Sequence, residues 1–283
     1  MIPTLGSKEA IFSFAQVVVD PDSEKRIVVV PEPGYPVQER GALFAHGEPW
    51  AVPLREEHGF LPDLDAIDVW DRIAIFWVNY PNNPTGAIAP LSFYEELAGR
   101  AREHDFYLCS DEAYSELWFD EPPASALEVS DRTNVVVFNT LSKRSSMTGY
   151  RSGFTAAPPP VIEALRKFRP TVGTAPQEFV QRASIAAWGD EDHVAAVRDV
   201  YRRKRETLLH ALHDLGLRVA GSDATFYLWV ESPDGAVDAL LERGVVVTPG
   251  AYFGAAGAGY LRIALVPTQE QCERAATIIR EAL

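Results

Sequence analysis

The stretch IAIFWVNYPNNPTGAIAPLSFYEELAGRAREHDFYLC, residues 73–109, decides the fold class. It begins and ends with continuous apolar runs, IAIFWV at 73–78 and FYLC at 106–109. Between them, apolar residues recur at steps of three or four, as one face of a helix requires: Leu91, Tyr94, Leu97 and Ala101. Continuous runs of β-branched and aromatic residues are typical of strands buried on both faces. The stretch therefore predicts a βαβ unit with two parallel strands.

Similar apolar runs occur elsewhere in the chain: RIVVV at 26–30, VVVF at 135–138 and VVV at 245–247. With helical patterns between many of them, they predict an α/β fold with a mainly parallel sheet flanked by helices. The segment 191–216 is typical of one long helix that ends at Gly216. We place a domain boundary inside it, which gives a large domain of residues 1–195 and a smaller C-terminal α+β domain of residues 196–283.

Composition excludes several classes of function. A formal net charge of −14 would repel a nucleic-acid backbone, so nucleic acid is not expected as a partner. The two cysteines, Cys109 and Cys272, belong to no metal-ligand pattern, which predicts no metal site and favours a reducing cytoplasm. No apolar run approaches the roughly 18 residues of a membrane span, and MIPTLGSKEA is not a secretion signal, so no membrane association is expected.

Polar side chains of very different chemistry follow the predicted strands. Ligands of open α/β sheets bind outside the carboxyl ends of the strands, so these side chains are candidates for one shared site. They are Tyr35 in PEPGYP, Asn83 in NYPNNPTG, Asp111 and Tyr114 in SDEAY, and Lys143 and Arg151 in NTLSKRSSMTGYR. A cofactor with a pyridine ring, a phenolic oxygen, an aldehyde and a phosphate would use each of these groups.

Four motifs in fixed order carry a family resemblance: NNPTG, SDEAYSE, TLSK, and the arginine eight residues after the TLSK lysine. In this set the chain resembles the class I/II aminotransferases of pyridoxal-phosphate (PLP) fold type I, from Gly6 to the C-terminus. The stretches PTLGSKEA, PEPGYP, IAAWGDEDHV and ATFYLWV are similar in particular to the N-succinyldiaminopimelate aminotransferases of lysine biosynthesis.

The resemblance implies a chemical role for each candidate. Lys143 is expected to bond covalently to the PLP aldehyde and to move the substrate proton once released. Asp111 is expected to keep the pyridine nitrogen protonated, which makes the ring an electron sink. Asn83 and Tyr114 are expected to donate hydrogen bonds to the phenolic oxygen, and the ring of Tyr35 to stack on the pyridine.

Two anion sites are implied as well. Backbone amides at the start of a helix suit a phosphate, and hydroxyl groups and a guanidinium complete the set: Gly6, Ser7, Lys8, Thr140, Ser142 and Arg151. Arg262 in GYLRIALV alternates with apolar neighbours as in a half-buried strand. The resemblance implies that Arg262 clamps the substrate α-carboxylate, with Asn83 beside it.

The implied activity is a ping-pong exchange of an amino group between glutamate or 2-oxoglutarate and N-succinyl-LL-2,6-diaminopimelate or its keto acid. Other aminotransferases, acting on LL-diaminopimelate, aspartate or aromatic substrates, and PLP β-lyases share these residues. The family also implies a homodimer and a longer segment ahead of GSKE than this sequence contains. An N-terminally shortened chain that binds PLP with impaired turnover is therefore a further alternative.

Overall fold

A computed structural model describes residues 1–283, in which eleven strands form two sheets. The larger sheet has seven strands in the order β1-β7-β6-β5-β4-β2-β3. Its strands are β1 (Ile2–Thr4), β2 (Ile27–Glu32), β3 (Glu48–Pro53), β4 (Ile73–Asn79), β5 (Tyr107–Asp111), β6 (Val135–Thr140) and β7 (Gly153–Ala156). The smaller sheet contains β8 (Val219–Ala220), β9 (Tyr227–Glu231), β10 (Thr248–Pro249) and β11 (Tyr260–Ala264).

Nine α-helices cover these sheets. They are α1 (Gly6–Val18), α2 (Val37–Phe44), α3 (Leu91–Glu103), α4 (Leu141–Arg144), α5 (Pro159–Thr171), α6 (Glu178–Trp188), α7 (Asp192–Asp214), α8 (Ala236–Glu242) and α9 (Gln269–Ala282). None of them combines the length and apolarity that a membrane crossing requires.

The predicted βαβ unit is confirmed as β4-α3-β5, with the two strands paired in parallel. All seven residues of β4 are buried, as expected for a central strand with an apolar core on each face. The neighbouring strands β3, β2, β4, β5 and β6 run parallel to one another. Strand β7 is antiparallel to both of its neighbours, β6 and β1. The mainly parallel sheet is therefore confirmed, and the carboxyl ends of β2, β4, β5 and β6 lie at one edge.

The smaller sheet is antiparallel throughout and packs against α7, α8 and α9. The apolar run at 245–247 is not a strand, which corrects that prediction. The amide of Val245 bonds back to the carbonyl of Leu240, so this residue completes the end of α8. Strand β10 begins only at Thr248, and Val246 is 79% exposed.

The long helix predicted at 191–216 is present as α7, with 23 residues. Gly216 follows it with a φ of 70°, and the amide of Leu217 bonds back to the carbonyl of Leu212. This is the left-handed helix ending that favours glycine. The proposed division at residues 195/196 falls inside α7, which connects the seven-stranded sheet with the four-stranded one.

Candidate active site

One cavity of about 560 Å³ lies at the carboxyl edge of the larger sheet. It is lined by eleven of the twelve site residues predicted from the sequence: Ser7, Lys8, Tyr35, Asn83, Asp111, Tyr114, Thr140, Ser142, Lys143, Arg151 and Arg262. The twelfth, Gly6, directly precedes Ser7 and lies against the guanidinium of Arg151. The residues that follow four strands of the larger sheet thus meet the start of α1 and Arg262 of the smaller sheet in one place.

The start of α1 forms a cradle with Arg151. Gly6 has a φ of 73°, and a side chain there would place its Cβ 2.6 Å from Nη2 of Arg151. The same Nη2 donates to the carbonyl of Leu5 at 2.8 Å, and Nη1 lies 3.4 Å from Oγ of Ser142. Free helix-terminal amides, a hydroxyl and a guanidinium therefore converge where an anion can bind.

The end of β6 turns directly into the short helix that carries Lys143. Thr140 caps this helix, because its Oγ1 accepts from the amide of Ser142 at 3.1 Å. Two residues later, Arg144 is only 2% exposed; its guanidinium bonds to the carbonyl of Ala187 at 2.7 Å and pairs with Glu191. The position of Lys143 is thus fixed by buried neighbours on both sides.

Asp111 is a buried carboxyl group that the protein leaves almost without partners. It is 4% exposed, and its single hydrogen bond comes from the amide of Ala113 at 3.3 Å. Burial raises its pKa to about 7, while this bond and the charge of Lys143 act in the opposite direction. A cationic group in the cavity would complete the environment of Asp111.

Lys143 lies half-buried over the rings of Tyr114 and Phe226, at 5.8 and 5.2 Å. Burial lowers the pKa of its ammonium group, and the nearby cations of Lys8, Arg262 and Arg151 lower it further, whereas Asp111 raises it. A lowered pKa favours the free amine, which is the form that attacks an aldehyde or accepts a proton.

Asn83 links the end of β4 to the smaller sheet. The backbone amide of Asn83 donates to Oδ1 of Asn79 at 3.0 Å, and Nδ2 of Asn79 in turn donates to the carbonyl of Asp111 at 2.8 Å. Oδ1 of Asn83 accepts from Nη1 of Arg262 at 2.8 Å. This arrangement leaves Nδ2 of Asn83 available as a donor towards the cavity.

The guanidinium of Arg262 is held between two aromatic rings. It lies 4.1 Å from the ring centre of Tyr227 and 4.6 Å from that of Phe253. Its Nη2 is 3.4 Å from Oγ1 of Thr248, and its buried Nε has no partner in the protein. A carboxylate bound at Arg262 would supply the missing acceptor.

Several lining residues were not predicted from the sequence: Asn79, Thr148, Tyr227, Thr248, Tyr252 and Phe253. Asn79 directly follows the predicted strand 73–78, so the argument that selected Asn83 could have selected it as well. Tyr227 is inside the quoted stretch ATFYLWV, but a residue within a strand carries no comparable signal. Phe253 reaches the cavity only because the smaller sheet docks there.

These features fit pyridoxal phosphate. The phosphate would bind at the cradle of Gly6 and Arg151, the ring cation would face the buried carboxylate of Asp111, and the aldehyde would meet the amine of Lys143. A lysine, a buried aspartate and a helix-terminal anion cradle at the edge of a mainly parallel sheet define a PLP-dependent transferase of fold type I.

The chain belongs to the family of class I and II aminotransferases, whose model matches residues 1–279. It is 42% identical to the LL-diaminopimelate aminotransferase of Aquifex aeolicus, over 98% of this chain and 74% of that protein. It is also similar to the structure of a probable N-succinyldiaminopimelate aminotransferase from Thermus thermophilus, at 32% identity and a TM-score of 0.92, covering 100% of this chain and 77% of that one.

A third relative is the substrate-bound BacF structure from Bacillus subtilis. The identity is 34% and the TM-score 0.92, with 99% of this chain and 73% of that one covered. Together with the family match, these relatives show a PLP-dependent aminotransferase fold over nearly the whole chain. The resemblance inferred from the four motifs is confirmed.

Proposed function

We propose that this aminotransferase exchanges an amino group between glutamate or 2-oxoglutarate and an amino acid of the diaminopimelate type. The observation that carries the proposal is the cavity itself, in which Lys143, Asp111 and Arg262 face one another across about 560 Å³. When bound, PLP supplies an aldehyde that takes up the amino group and a ring that accepts electrons from the substrate α-carbon.

Each residue of the chain has a defined task in this proposal. Lys143, with its lowered pKa, removes the α-proton of the substrate and returns it at the other carbon of the exchange. Asp111 holds the ring cation, and its own pKa falls when that charge is present. Asn83 and Tyr114 donate to the phenolic oxygen, and the ring of Tyr35 stacks on the cofactor.

The anion-binding residues separate phosphate from substrate. Arg151, Ser142 and Thr140 belong to the phosphate cradle together with the amides of Gly6, Ser7 and Lys8, whereas Arg262 binds the α-carboxylate. The ammonium of Lys8 remains, 5.4 Å from the ring centre of Tyr35 and on the cavity wall. A cation left over after both anions are placed favours a substrate with a second carboxylate.

Two diaminopimelate substrates are candidates. The sequence motifs favour N-succinyl-LL-2,6-diaminopimelate, and a structural relative from Thermus thermophilus carries that description. LL-diaminopimelate is favoured by the relatives with the higher identities, at 42% and 41%. Both substrates carry a distal carboxylate, and both reactions would serve lysine biosynthesis.

Turnover separates the candidates. Purified protein with PLP is mixed with glutamate alone. Loss of the absorbance band of the cofactor bound to Lys143 reports the first half-reaction. Steady-state rates with 2-oxoglutarate are then compared for LL-diaminopimelate, its N-succinyl derivative and aspartate, with Lys143→Ala as the inactive control. Absence of a spectral change with glutamate would refute the aminotransferase assignment, and preference for aspartate would refute the diaminopimelate substrate.

We also propose that two copies of the chain form a dimer in the cytoplasm. A second, open cavity shares Lys8, Tyr35 and Arg151 with the candidate site and includes Phe12. Beside it, the ring of Phe44 contacts Phe12 with centroids 5.4 Å apart and is 72% exposed. A second copy would bury this apolar surface and close the open side of the site.

Sedimentation of the purified protein tests the dimer. Phe44→Glu should convert a dimer to a monomer, because a charge would have to be buried at the interface. Val246→Glu changes a side chain that is 79% exposed in the loop between α8 and β10 and should leave the dimer intact. A monomeric starting protein, or equal behaviour of the two variants, would contradict the assignment of this surface.

A further inference from the structure

The smaller sheet makes one hydrogen bond to each of the two proposed donors to the phenolic oxygen, Asn83 and Tyr114. Arg262 in β11 donates to Oδ1 of Asn83 at 2.8 Å. Tyr227 in β9 places its hydroxyl 3.3 Å from the hydroxyl of Tyr114. The second contact joins two buried phenols that are 113 positions apart in the chain.

Tyr227 has two distinct contacts in this region. Its ring lies 4.1 Å from the guanidinium of Arg262, and its hydroxyl reaches Tyr114. The ring is packed edge-to-face on Phe226 and Tyr114, with centroids 4.8 and 5.8 Å apart, and the residue is 7% exposed. A side chain held this firmly cannot turn its hydroxyl elsewhere without disturbing Arg262.

We propose that Tyr227 is a positioning residue that connects the carboxylate-binding arginine with the cofactor donor Tyr114. Its hydroxyl donates to the oxygen of Tyr114 and leaves the single hydrogen of Tyr114 for the cofactor oxygen. Its ring packs against the guanidinium of Arg262. The inference rests on the proposed function, because it assumes that Tyr114 and Arg262 have the tasks given above.

The direction of the hydrogen bond follows from the number of hydrogens. A phenol has one hydrogen, so a Tyr114 that donated to Tyr227 could not donate to the cofactor. A donor at the oxygen of Tyr114 also polarises its O–H group and strengthens the bond that Tyr114 makes. The hydroxyl of Tyr227 therefore increases the stabilisation of a negative cofactor oxygen.

The charged groups around the pair are few. Asp111, Arg262 and Lys143 face Tyr114, and the phenol of Tyr201 approaches Tyr227 from behind Phe226. Burial raises the pKa of Tyr114 well above its usual value. Tyr114 thus keeps its hydrogen throughout the neutral range and can act as a donor.

The test uses the PLP-loaded enzyme without substrate. The pH midpoint of the cofactor absorbance change is measured for wild type, Tyr227→Phe, Tyr114→Phe and the double variant. Because oxyanion stabilisation lowers this midpoint, we expect Tyr227→Phe to raise it by about 0.3 pH unit and Tyr114→Phe to raise it more. The double variant should match Tyr114→Phe, since Tyr227 acts through that hydroxyl.

The ring and the hydroxyl are separated by a second substitution. Tyr227→Phe keeps the ring beneath Arg262 and should leave the KM for glutamate unchanged, whereas Tyr227→Leu should raise both the KM and the midpoint. Tyr260→Phe is the matched control, because Tyr260 also lies in the smaller sheet but its hydroxyl is 3.3 Å from Glu56. It should change neither quantity.

An unchanged or lowered midpoint in Tyr227→Phe would overturn the proposal, as would an additive effect in the double variant. A raised KM for glutamate in Tyr227→Phe would also contradict the separation of ring and hydroxyl. Failure of the proposed function has a different signature, because a wild-type enzyme that shows no band of lysine-bound cofactor at any pH would show that Lys143 does not hold PLP.

Discussion

Replacing Asp111 with asparagine should stabilise the cofactor-free protein at neutral and alkaline pH, although it removes a residue of the proposed site. The carboxyl group is 4% exposed and accepts one hydrogen bond, from Ala113 at 3.3 Å. Such a group is costly to ionise, since burial removes water and the protein supplies little in return. An asparagine of nearly the same shape is neutral at every pH.

The magnitude follows from the pKa of Asp111, which burial raises from 3.8 to about 7. The folded protein therefore binds the proton more tightly than the unfolded chain, and its free energy of unfolding falls as pH rises from about 4 to about 7. A shift of this size corresponds to about 4 kcal/mol at pH 8.

Urea unfolding of the cofactor-free protein measures the effect. The advantage of Asp111→Asn over wild type should be small at pH 4.5, grow up to about pH 7 and then remain constant. Asp68→Asn, at an exposed position, is the control and should show no such trend. An advantage of Asp111→Asn that is equal at pH 5 and pH 8, or larger at pH 5, would refute the reasoning.

Three further predictions concern activity. Lys143→Ala should retain PLP only through the phosphate cradle, so borohydride treatment should leave no cofactor attached; attached cofactor would contradict the role of this lysine. Asp111→Ala should lower kcat/KM about a hundredfold and Asn83→Ala about tenfold, because the amide shares its task with Tyr114; equal losses would contradict this division. Arg262→Lys should raise the KM for glutamate and keto acid about tenfold, and unchanged values would place Arg262 outside the site.

The sequence was sufficient for the larger sheet and for the residues at its edge. Strands β4 and β5 are buried on both faces, so their composition identifies them without knowledge of their neighbours. Asp111 ends such a strand, and Asn83 and Lys143 lie within four residues of the ends of two others. Parallel strands bring their carboxyl ends together whatever the rest of the chain does. In the larger sheet, the local sequence pattern therefore predicts the same arrangement that the tertiary structure has.

The smaller sheet could not be predicted as well, because its contacts depend on tertiary packing. The run at 245–247 has the composition of a strand, yet its first amide completes helix α8 and its middle residue is exposed. Tyr227 and Phe253 reach the cavity through the docking of β9 and the loop after β10. No spacing of residues in the sequence predicts this docking.

The buried guanidinium of Arg144 has a consequence for the order in which the protein is made. It is held by Ala187, 43 positions further along the chain, and by Glu191, both beyond the last strand of the larger sheet. A ribosome that has completed all seven strands of this sheet has not yet made the residues that fix the helix of Lys143. We therefore expect the helix of Lys143 to be held in place only once the start of α7 has been made, late in the synthesis of the chain.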